Sequence, residues 1–193
     1  MDIAKVQKLR ETTMASINDV KKALDEANDN EQEALLILRK RGKVIADKRG
    51  GRATSAGVIA SYVHQNGTIG VLVEVRCETD FVAKTEEFRR LARDLALHVT
   101  AARPLWVRPE DVPEDVVRQE RSLYEAQVTE LKKPQQVAQQ IVEGKLAQYY
   151  DDTCLLRQRF VKDEEKSVAD VITESIAKVG ENIEVGRFAR FEI

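Results

Sequence analysis

A cysteine, an aspartate and a histidine are the residues of this sequence whose types could combine for nucleophilic catalysis. Cys77 ends an apolar run, Asp80 follows three positions later, and His64 stands before a predicted turn. A thiolate nucleophile needs a base within hydrogen-bond reach, and the spacing of these residues follows no rule for such a pair. Because free cysteines are commonly small buried side chains, we interpret Cys77 as a core residue and His64 as a hairpin residue. We expect no covalent catalysis.

The sequence also has few residues that could form a metal or cofactor site. The chain has two histidines, His64 and His98, and two cysteines, Cys77 and Cys154, which are too few at ligand spacing for a zinc site. Phosphate-binding loops of the Walker or G-x-G-x-x-G type do not occur. The start has no signal-peptide pattern, and no apolar run approaches the ~18 residues of a membrane span. We therefore expect a cytoplasmic protein without metal, cofactor, disulfide framework or membrane partner.

The charges of the chain nearly cancel, with 31 basic and 33 acidic residues and a net charge of −2. A global attraction to nucleic acid is therefore not expected. The segment RKRGKVIADKRGGR at 39–52 is locally basic and holds three glycines, which favours a flexible or partly helical linker. The same segment could contact phosphates, so RNA binding through 39–52 is kept as an alternative function.

An aromatic residue occupies the corner between two predicted elements. Thr79, Asp80 and Phe81 follow a strand predicted to end at Cys77 and precede a helix predicted to begin near Thr85. Corners usually use Gly, Asn, Asp or Ser for conformational reasons, so Phe81 needs another explanation. Its ring either folds back between sheet and helix, or stands outward beside a carboxylate as an interface anchor. The pattern of residues leaves both readings open.

Hydrophobic spacing predicts the elements that position this corner. Helical patterns at 3–12 and 19–27, and a third that begins at the N-cap Asn30 and ends or frays at Gly42, predict a three-helix bundle. Two β-branched runs separated by Asn66-Gly67 and its neighbours predict a tight hairpin.

The remaining chain alternates helical and strand patterns. The predicted elements are a helix at 85–102 with Thr85 as N-cap, a helical hairpin at about 113–150, a helix at 167–178 and a strand at 182–193. Strands and helices are segregated, which predicts an α+β fold with a small antiparallel sheet. The expected organisation is an N-terminal three-helix bundle with its linker at 1–50 and an α+β core at 51–193.

Five segments, in one order, carry a resemblance to a known family. They are LRETTMASINDVKKAL, GVLVEV, CETDFVAKTEEF, KPQQVAQQIVEGKL and KVGENIEVGRFARFE. The third contains a Thr-Asp-Phe-Val-Ala signature, and together they resemble the bacterial elongation factor Ts family, the guanine nucleotide exchange factors of elongation factor Tu. The resemblance runs through nearly the whole chain and matches a short form with a single core unit.

The resemblance implies both a fold and a function. The fold is a ubiquitin-associated-like bundle followed by a core with a three-stranded antiparallel sheet, packed helices and a helical hairpin. The function is to bind the GDP-bound elongation factor Tu and to promote release of GDP and exchange for GTP by perturbing its magnesium and phosphate site. An RNA-binding translation accessory protein, acting through 39–52, is the alternative.

The resemblance also implies which residues meet the partner. They are Thr79, Asp80, Phe81 and Val82 of the signature, Val179 and Gly180 near the end, and Ile17, Asn18 and Lys21 of the N-terminal module. The chain reads TMASIND at 13–19, where the family usually has TGAGMMD, so the N-terminal contact is expected to be weaker or differently built. Because short members are thought to pair through the core, we expect a homodimer.

Overall fold

The computed structural model describes residues 2–13, 15–130 and 134–193 and has the α+β architecture that the sequence predicts. Single-turn 3-10 helices lie at Pro109–Asp111 and Leu155–Arg157. In chain order the other elements are α1 (Ile3–Thr13), α2 (Ile17–Glu26), α3 (Glu31–Arg49), β1 (Ala56–Val63), β2 (Ile69–Cys77), α4 (Asp80–Lys84), α5 (Glu86–Ala102), α6 (Glu114–Glu130), α7 (Gln135–Thr153), β3 (Arg159–Phe160), β4 (Asp163–Ser167), α8 (Val168–Val179) and β5 (Ile183–Glu192).

The main sheet has three antiparallel strands in the order β1-β2-β5. The predicted Asn-Gly hairpin joins β1 to β2, with Gly67 at φ 72° and the Asn66 side chain accepting a hydrogen bond from the backbone N–H of Thr68 at 3.1 Å. A positive φ is readily adopted by glycine, which explains its place in the turn. β3 and β4 form a separate two-stranded ribbon.

One face of the sheet packs on α5 and forms the main core. Alternate residues of β2 point to this face and are nearly fully buried, as the two-residue period of a strand requires. The helix contributes a matching apolar stripe on its inner side. The buried residues of these two elements are Val71, Val73, Val75 and Cys77 of β2 and Phe88, Leu91, Leu95 and Val99 of α5.

A β-bulge in β5 changes which of its residues face the core. Val75 of β2 pairs with Val185, whereas Glu74 pairs with Arg187, so Gly186 is the extra residue. Side chains at 183 and 185 are buried before the bulge, and the pattern shifts by one position after it. An uninterrupted two-residue alternation would place Phe191 on the same face as Ile183, but Phe191 lies on the opposite, exposed face.

The first three helices bury a small core of their own around Val20, Ala23 and Leu24. The predicted end of the third helix at Gly42 is wrong, because α3 continues without interruption to Arg49. Of the two alternatives for the linker at 39–52, the flexible one is wrong and the partly helical one agrees with this helix. α3 packs against α8, and a Cβ built on Gly42 would lie 3.3 Å from the Cβ of Ala177. The glycine therefore permits close helix packing and does not end the helix.

The predicted helical hairpin is present as α6 and α7, joined through residues 131–133, which lie outside the described residues. Val128, Val142 and Leu146 form its small buried core. The C-terminal end of α7 is fastened by the amide of Gln158, which donates to the carbonyl of Asp152 at 2.7 Å and to that of Ala102 at 3.2 Å. One side chain thus joins the ends of α7 and α5.

A buried histidine completes this junction. The backbone N–H of Val161 donates to Nδ1 of His98 at 3.1 Å, so Nδ1 is an acceptor and Nε2 carries the proton. Nε2 then donates to Oε1 of Gln158 at 3.0 Å. Burial lowers the pKa of His98, because a charged imidazolium would lose its hydration there.

Over the three described ranges, none of the helices combines the length and the apolar character needed to cross a membrane.

Candidate functional site

The corner at 79–84 forms a single helical turn, α4, which the sequence pattern did not predict. Thr79 is its N-cap and accepts a hydrogen bond from the N–H of Val82 at 3.4 Å. Thr85 ends α4 and at the same time caps α5, since its hydroxyl accepts from the N–H of Phe88 at 3.3 Å. A helix this short has little stability of its own, so these caps and its neighbours must hold it.

Phe81 points outward from α4, with 80% of its surface exposed. The reading in which its ring plugs the space between sheet and helix is therefore wrong for this chain. That space is filled instead by Ala83 of α4, which is buried, and by Val82, which packs partly against the main core. α4 thus presents the ring of Phe81 to solvent while its other side is anchored.

Asp80 stands beside this ring and forms an ion pair within the helix. Nζ of Lys84 lies 2.6 Å from the Asp80 carboxylate, one turn along α4. This hydrogen bond from Lys84 lowers the pKa of Asp80, which favours the charged form of the carboxylate. The exposed tip of the corner therefore combines an apolar ring with a paired carboxylate and ammonium.

The turn between α8 and β5 lies directly against the corner. Glu181 accepts two hydrogen bonds from Thr79, one from the backbone N–H at 3.0 Å and one from the hydroxyl at 2.7 Å. In return, Glu78 accepts from the backbone N–H of Asn182 at 2.7 Å. Segments that are about a hundred residues apart in the chain are thereby joined by reciprocal hydrogen bonds.

These bonds bring two of the predicted site segments together. Gly180 ends α8 with φ 75°, and its N–H donates to the carbonyl of Ile176 at 2.8 Å, as in the left-handed ends of many helices. Val179 before it is half-buried against the main core. Thr79 to Val82 and Val179 to Gly180 therefore form one continuous surface region, which we call the corner site.

The third predicted segment lies elsewhere, on the first turn of α2. Ser16 caps this helix, with its hydroxyl accepting from the N–H of Asp19 at 3.1 Å. Ile17 is 45% exposed, and its side chain lines a shallow groove between α1 and α2 together with Lys21. Asn18 is also exposed. Serine is among the preferred N-cap residues, so this helix needs no glycine at its start.

The arrangement gives no support to a catalytic cysteine. Cys77 is fully buried, its Sγ lies 3.1 Å from the carbonyl oxygen of Thr79, and burial raises the pKa of its thiol. A reactive cysteine requires the opposite shift. His64 follows β1 at the hairpin end, whereas Cys77 pairs with Ala56 at the other end of the ladder, about 26 Å away at ~3.3 Å per residue.

Within the residues that the structure describes, no group of three or more His, Cys, Asp or Glu side chains could hold a metal ion.

Three residues that shape the corner site were not predicted from the sequence: Glu78, Glu181 and Asn182. Their only local signal is the position of polar residues immediately after a predicted strand and a predicted helix.

Comparison of the sequence with known proteins assigns the chain to a family. Residues 2–175 match the family model described as elongation factor TS. The chain is 52% identical over 188 residues to elongation factor Ts of Thermotoga sp. (strain RQ2), which covers 97% of this chain and 94% of the relative. It is 50% identical over 188 residues to elongation factor Ts of Thermosipho melanesiensis, covering 97% of this chain and 96% of the relative.

A further relative, elongation factor Ts of Carboxydothermus hydrogenoformans, is 48% identical over 188 residues, covering 97% of this chain and 87% of that protein. The matches thus extend over both the helical bundle and the sheet-containing part of the chain. The chain belongs to the elongation factor Ts family of translation elongation factors.

Proposed function

We propose that the chain binds the GDP-bound form of elongation factor Tu and promotes GDP release and exchange for GTP. The observation that carries this proposal is Phe81, an apolar ring 80% exposed on a turn that is capped and tied to the α8–β5 turn. An exposed aromatic residue on a fixed support is typical of an interface anchor. The relatives are named elongation factor Ts, which supports the choice of partner.

Exchange of this kind needs no covalent step, so the chain acts as an exchange factor and not as an enzyme on a substrate of its own. The factor must bind the nucleotide-free partner more tightly than the GDP-bound partner, because the coupling between factor binding and nucleotide binding is reciprocal. Insertion of Phe81 beside the magnesium and phosphate site of the partner would provide this difference. GTP binding would then displace the factor by the same coupling.

Two other surfaces would add binding affinity to that of the inserted Phe81 ring, which we call the wedge. Val179 and Gly180 belong to the same corner site as Phe81, so they can contact the partner at the same time. Ile17, Asn18 and Lys21 on α2 would form a separate contact through the N-terminal helices. We propose that these helices form a ubiquitin-associated-like unit at 1–50 and that the core unit occupies 51–193.

We also propose that two chains pair through the exposed face of the main sheet. Ile59, Val63, Leu72 and Phe191 all lie on this face, with exposed fractions of 70%, 67%, 47% and 68%. The pairing of the strands brings these side chains close together. Val63 and Phe191 both pair with Gly70, and Leu72 lies two residues along β2 from Gly70 on the same face. An apolar sheet face of this kind is typically covered by another protein surface.

Charge at the end of this face fits an isologous contact. Glu74 accepts hydrogen bonds from Arg76 at 2.5 Å and from Arg187 at 2.9 Å. Glu74 lies in the same row of paired residues as Ile59 and Arg187, so charge borders the apolar patch on one side, as the polar rim does in many interfaces. In a two-fold dimer each patch meets its own copy, so the patch must be self-complementary.

The test of the exchange function follows the release of fluorescent GDP from elongation factor Tu, with excess unlabelled GDP, as the concentration of this protein is raised. Acceleration that increases with concentration and then saturates supports the proposal. Unchanged release refutes it. Binding to RNA in the same buffers, with a steep salt dependence, would instead favour contacts through exposed lysines of α3 such as Lys40, Lys43 and Lys48.

A further inference from the structure

The hydrogen bonds beneath Phe81 continue a strand pairing after its backbone has diverged. The last pair of the β2–β5 ladder is Cys77 with Ile183. One and two residues farther along, Glu78 meets Asn182 and Thr79 meets Glu181, but now a carboxylate accepts each backbone N–H in place of a carbonyl oxygen. The two carboxylates therefore form a reciprocal clamp across the corner site.

The Glu181 half of the clamp acts on the helix that carries Phe81. The Thr79 hydroxyl donates to Glu181 at 2.7 Å, and the same oxygen accepts from the N–H of Val82 at 3.4 Å. Because the hydroxyl proton is directed towards Glu181, a lone pair of the oxygen is left for the N–H of Val82. Bonds arranged in such a chain polarise and strengthen one another. Glu181 thus orients the cap of α4.

The Glu78 half of the clamp fixes the opposite strand. Asn182 is 2% exposed, and its side-chain amide donates to the carbonyl of Arg52 at 2.9 Å. Glu78 accepts from the N–H of Asn182 and pairs with Arg52 at 3.4 Å. The hydrogen bond from the backbone of Asn182 lowers the pKa of Glu78, so the carboxylate stays charged as an acceptor.

We propose that Glu181 is a positioning residue for nucleotide exchange, which holds Phe81 outward by fixing Thr79 against the α8–β5 turn. This inference rests on the proposed exchange function. A preorganised anchor binds more tightly because less freedom is lost on association. Without the Glu181 carboxylate, Thr79 is no longer held in place as the N-cap of α4. Phe81 then samples orientations that do not fit the partner.

The test uses the full chain with the single variants Glu181→Ala, Glu181→Gln and Phe81→Ala, and with Glu181→Ala combined with Phe81→Ala. Glu181→Ala should raise the concentration that gives half-maximal GDP release about tenfold, equivalent to about 1.4 kcal/mol, with a smaller change in the saturating rate. In Glu181→Gln the amide oxygen can still accept from the Thr79 N–H and the amide nitrogen can donate to its hydroxyl oxygen. This variant should remain within about threefold of the original protein.

The combined variant separates positioning from general stability. If Glu181 acts through Phe81, its removal has no further effect on exchange once the ring is absent, whereas independent effects multiply. Glu143→Ala is the matched control, since it removes a carboxylate that pairs with Arg121 at 2.6 Å on the helical hairpin. Circular dichroism at the assay temperature verifies that each variant is folded.

A second measurement does not depend on elongation factor Tu. Hydrogen exchange of the free protein should show weaker protection of the Val82 and Ala83 amides in Glu181→Ala and near-original protection in Glu181→Gln. Unchanged protection, unchanged exchange activity, or multiplying effects in the combined variant would each overturn the role of Glu181. The original protein could fail to accelerate GDP release from elongation factor Tu while Glu181→Ala still weakens protection of the Val82 and Ala83 amides. The proposed exchange function would then be refuted, and the clamp would be a structural feature without that function.

Discussion

Replacement of two phenylalanines by alanine should separate the exchange function from folding. Phe81 and Phe88 are seven residues apart, but their exposed fractions are 80% and 1%. Phe81→Ala removes little surface that is buried in the folded chain, so its melting temperature should remain close to that of the original protein. Phe88→Ala opens a cavity between α5 and the sheet and should cost about 3–5 kcal/mol of folding free energy.

The magnitude for exchange follows from the area that Phe81 can bury in the partner. Full burial of one phenylalanine side chain contributes about 1.5–3 kcal/mol, which corresponds to about a ten- to hundredfold change at ~1.4 kcal/mol per decade. Phe81→Ala should therefore lower the efficiency of stimulated GDP release by about ten- to hundredfold. One ring cannot account for larger factors, so surrounding contacts must supply the rest.

The assay is stopped-flow release of fluorescent GDP from elongation factor Tu, with thermal unfolding measured on the same preparations. Leu105→Ala is the control for loss of an exposed apolar side chain, because Leu105 is 62% exposed and lies outside the corner site. Equal release rates for Phe81→Ala and the original protein would refute the wedge. A fall in melting temperature as large as that of Phe88→Ala would show that the ring of Phe81 supports the fold instead.

Three further predictions concern association, backbone conformation and pH. Leu72→Lys places a charge on the apolar sheet face and should convert the proposed dimer into monomers near 21.8 kDa in sedimentation experiments, whereas a dimer that persists would exclude this face. Gly180→Ala should lower the free energy of unfolding by about 1 kcal/mol in denaturant titrations, because φ is 75° and alanine is strained there; unchanged stability would contradict this reading. The pKa of His98 is lowered by burial, so the unfolded chain binds a proton first as pH falls. Stability should therefore decline below about pH 6.5 in thermal melts, and His98→Gln should reduce this decline.

Much of the fold could be predicted because local patterns agree with the final packing. The Asn66-Gly67 turn, the Thr85 cap and the apolar stripe of α5 all follow from rules about neighbouring residues. α3 shows where such rules fail. Gly42 is unfavourable within an isolated helix, but close contact with Ala177 of α8 gives a reason for it that only the tertiary structure reveals.

The candidate site could be predicted only in part. The types of Asp80 and Phe81 marked the corner as unusual, but burial and exposure of the ring were both compatible with the sequence. Glu181 could not be identified, because its bonds to Thr79 span 102 residues and depend on the pairing of β2 with β5. An acidic residue near the end of a helix has no distinctive pattern of its own.

The bulge at Gly186 has a consequence for how this protein can vary. Phe188 lies partly against the core and Phe191 on the outer face, although both follow the same strand. Deletion of one residue at 186–188 would move every later side chain of β5 to the opposite face of the sheet. We therefore expect related sequences to keep the length of this stretch constant, because an insertion or deletion would move Phe191 away from the outer face and a core-facing side chain onto it.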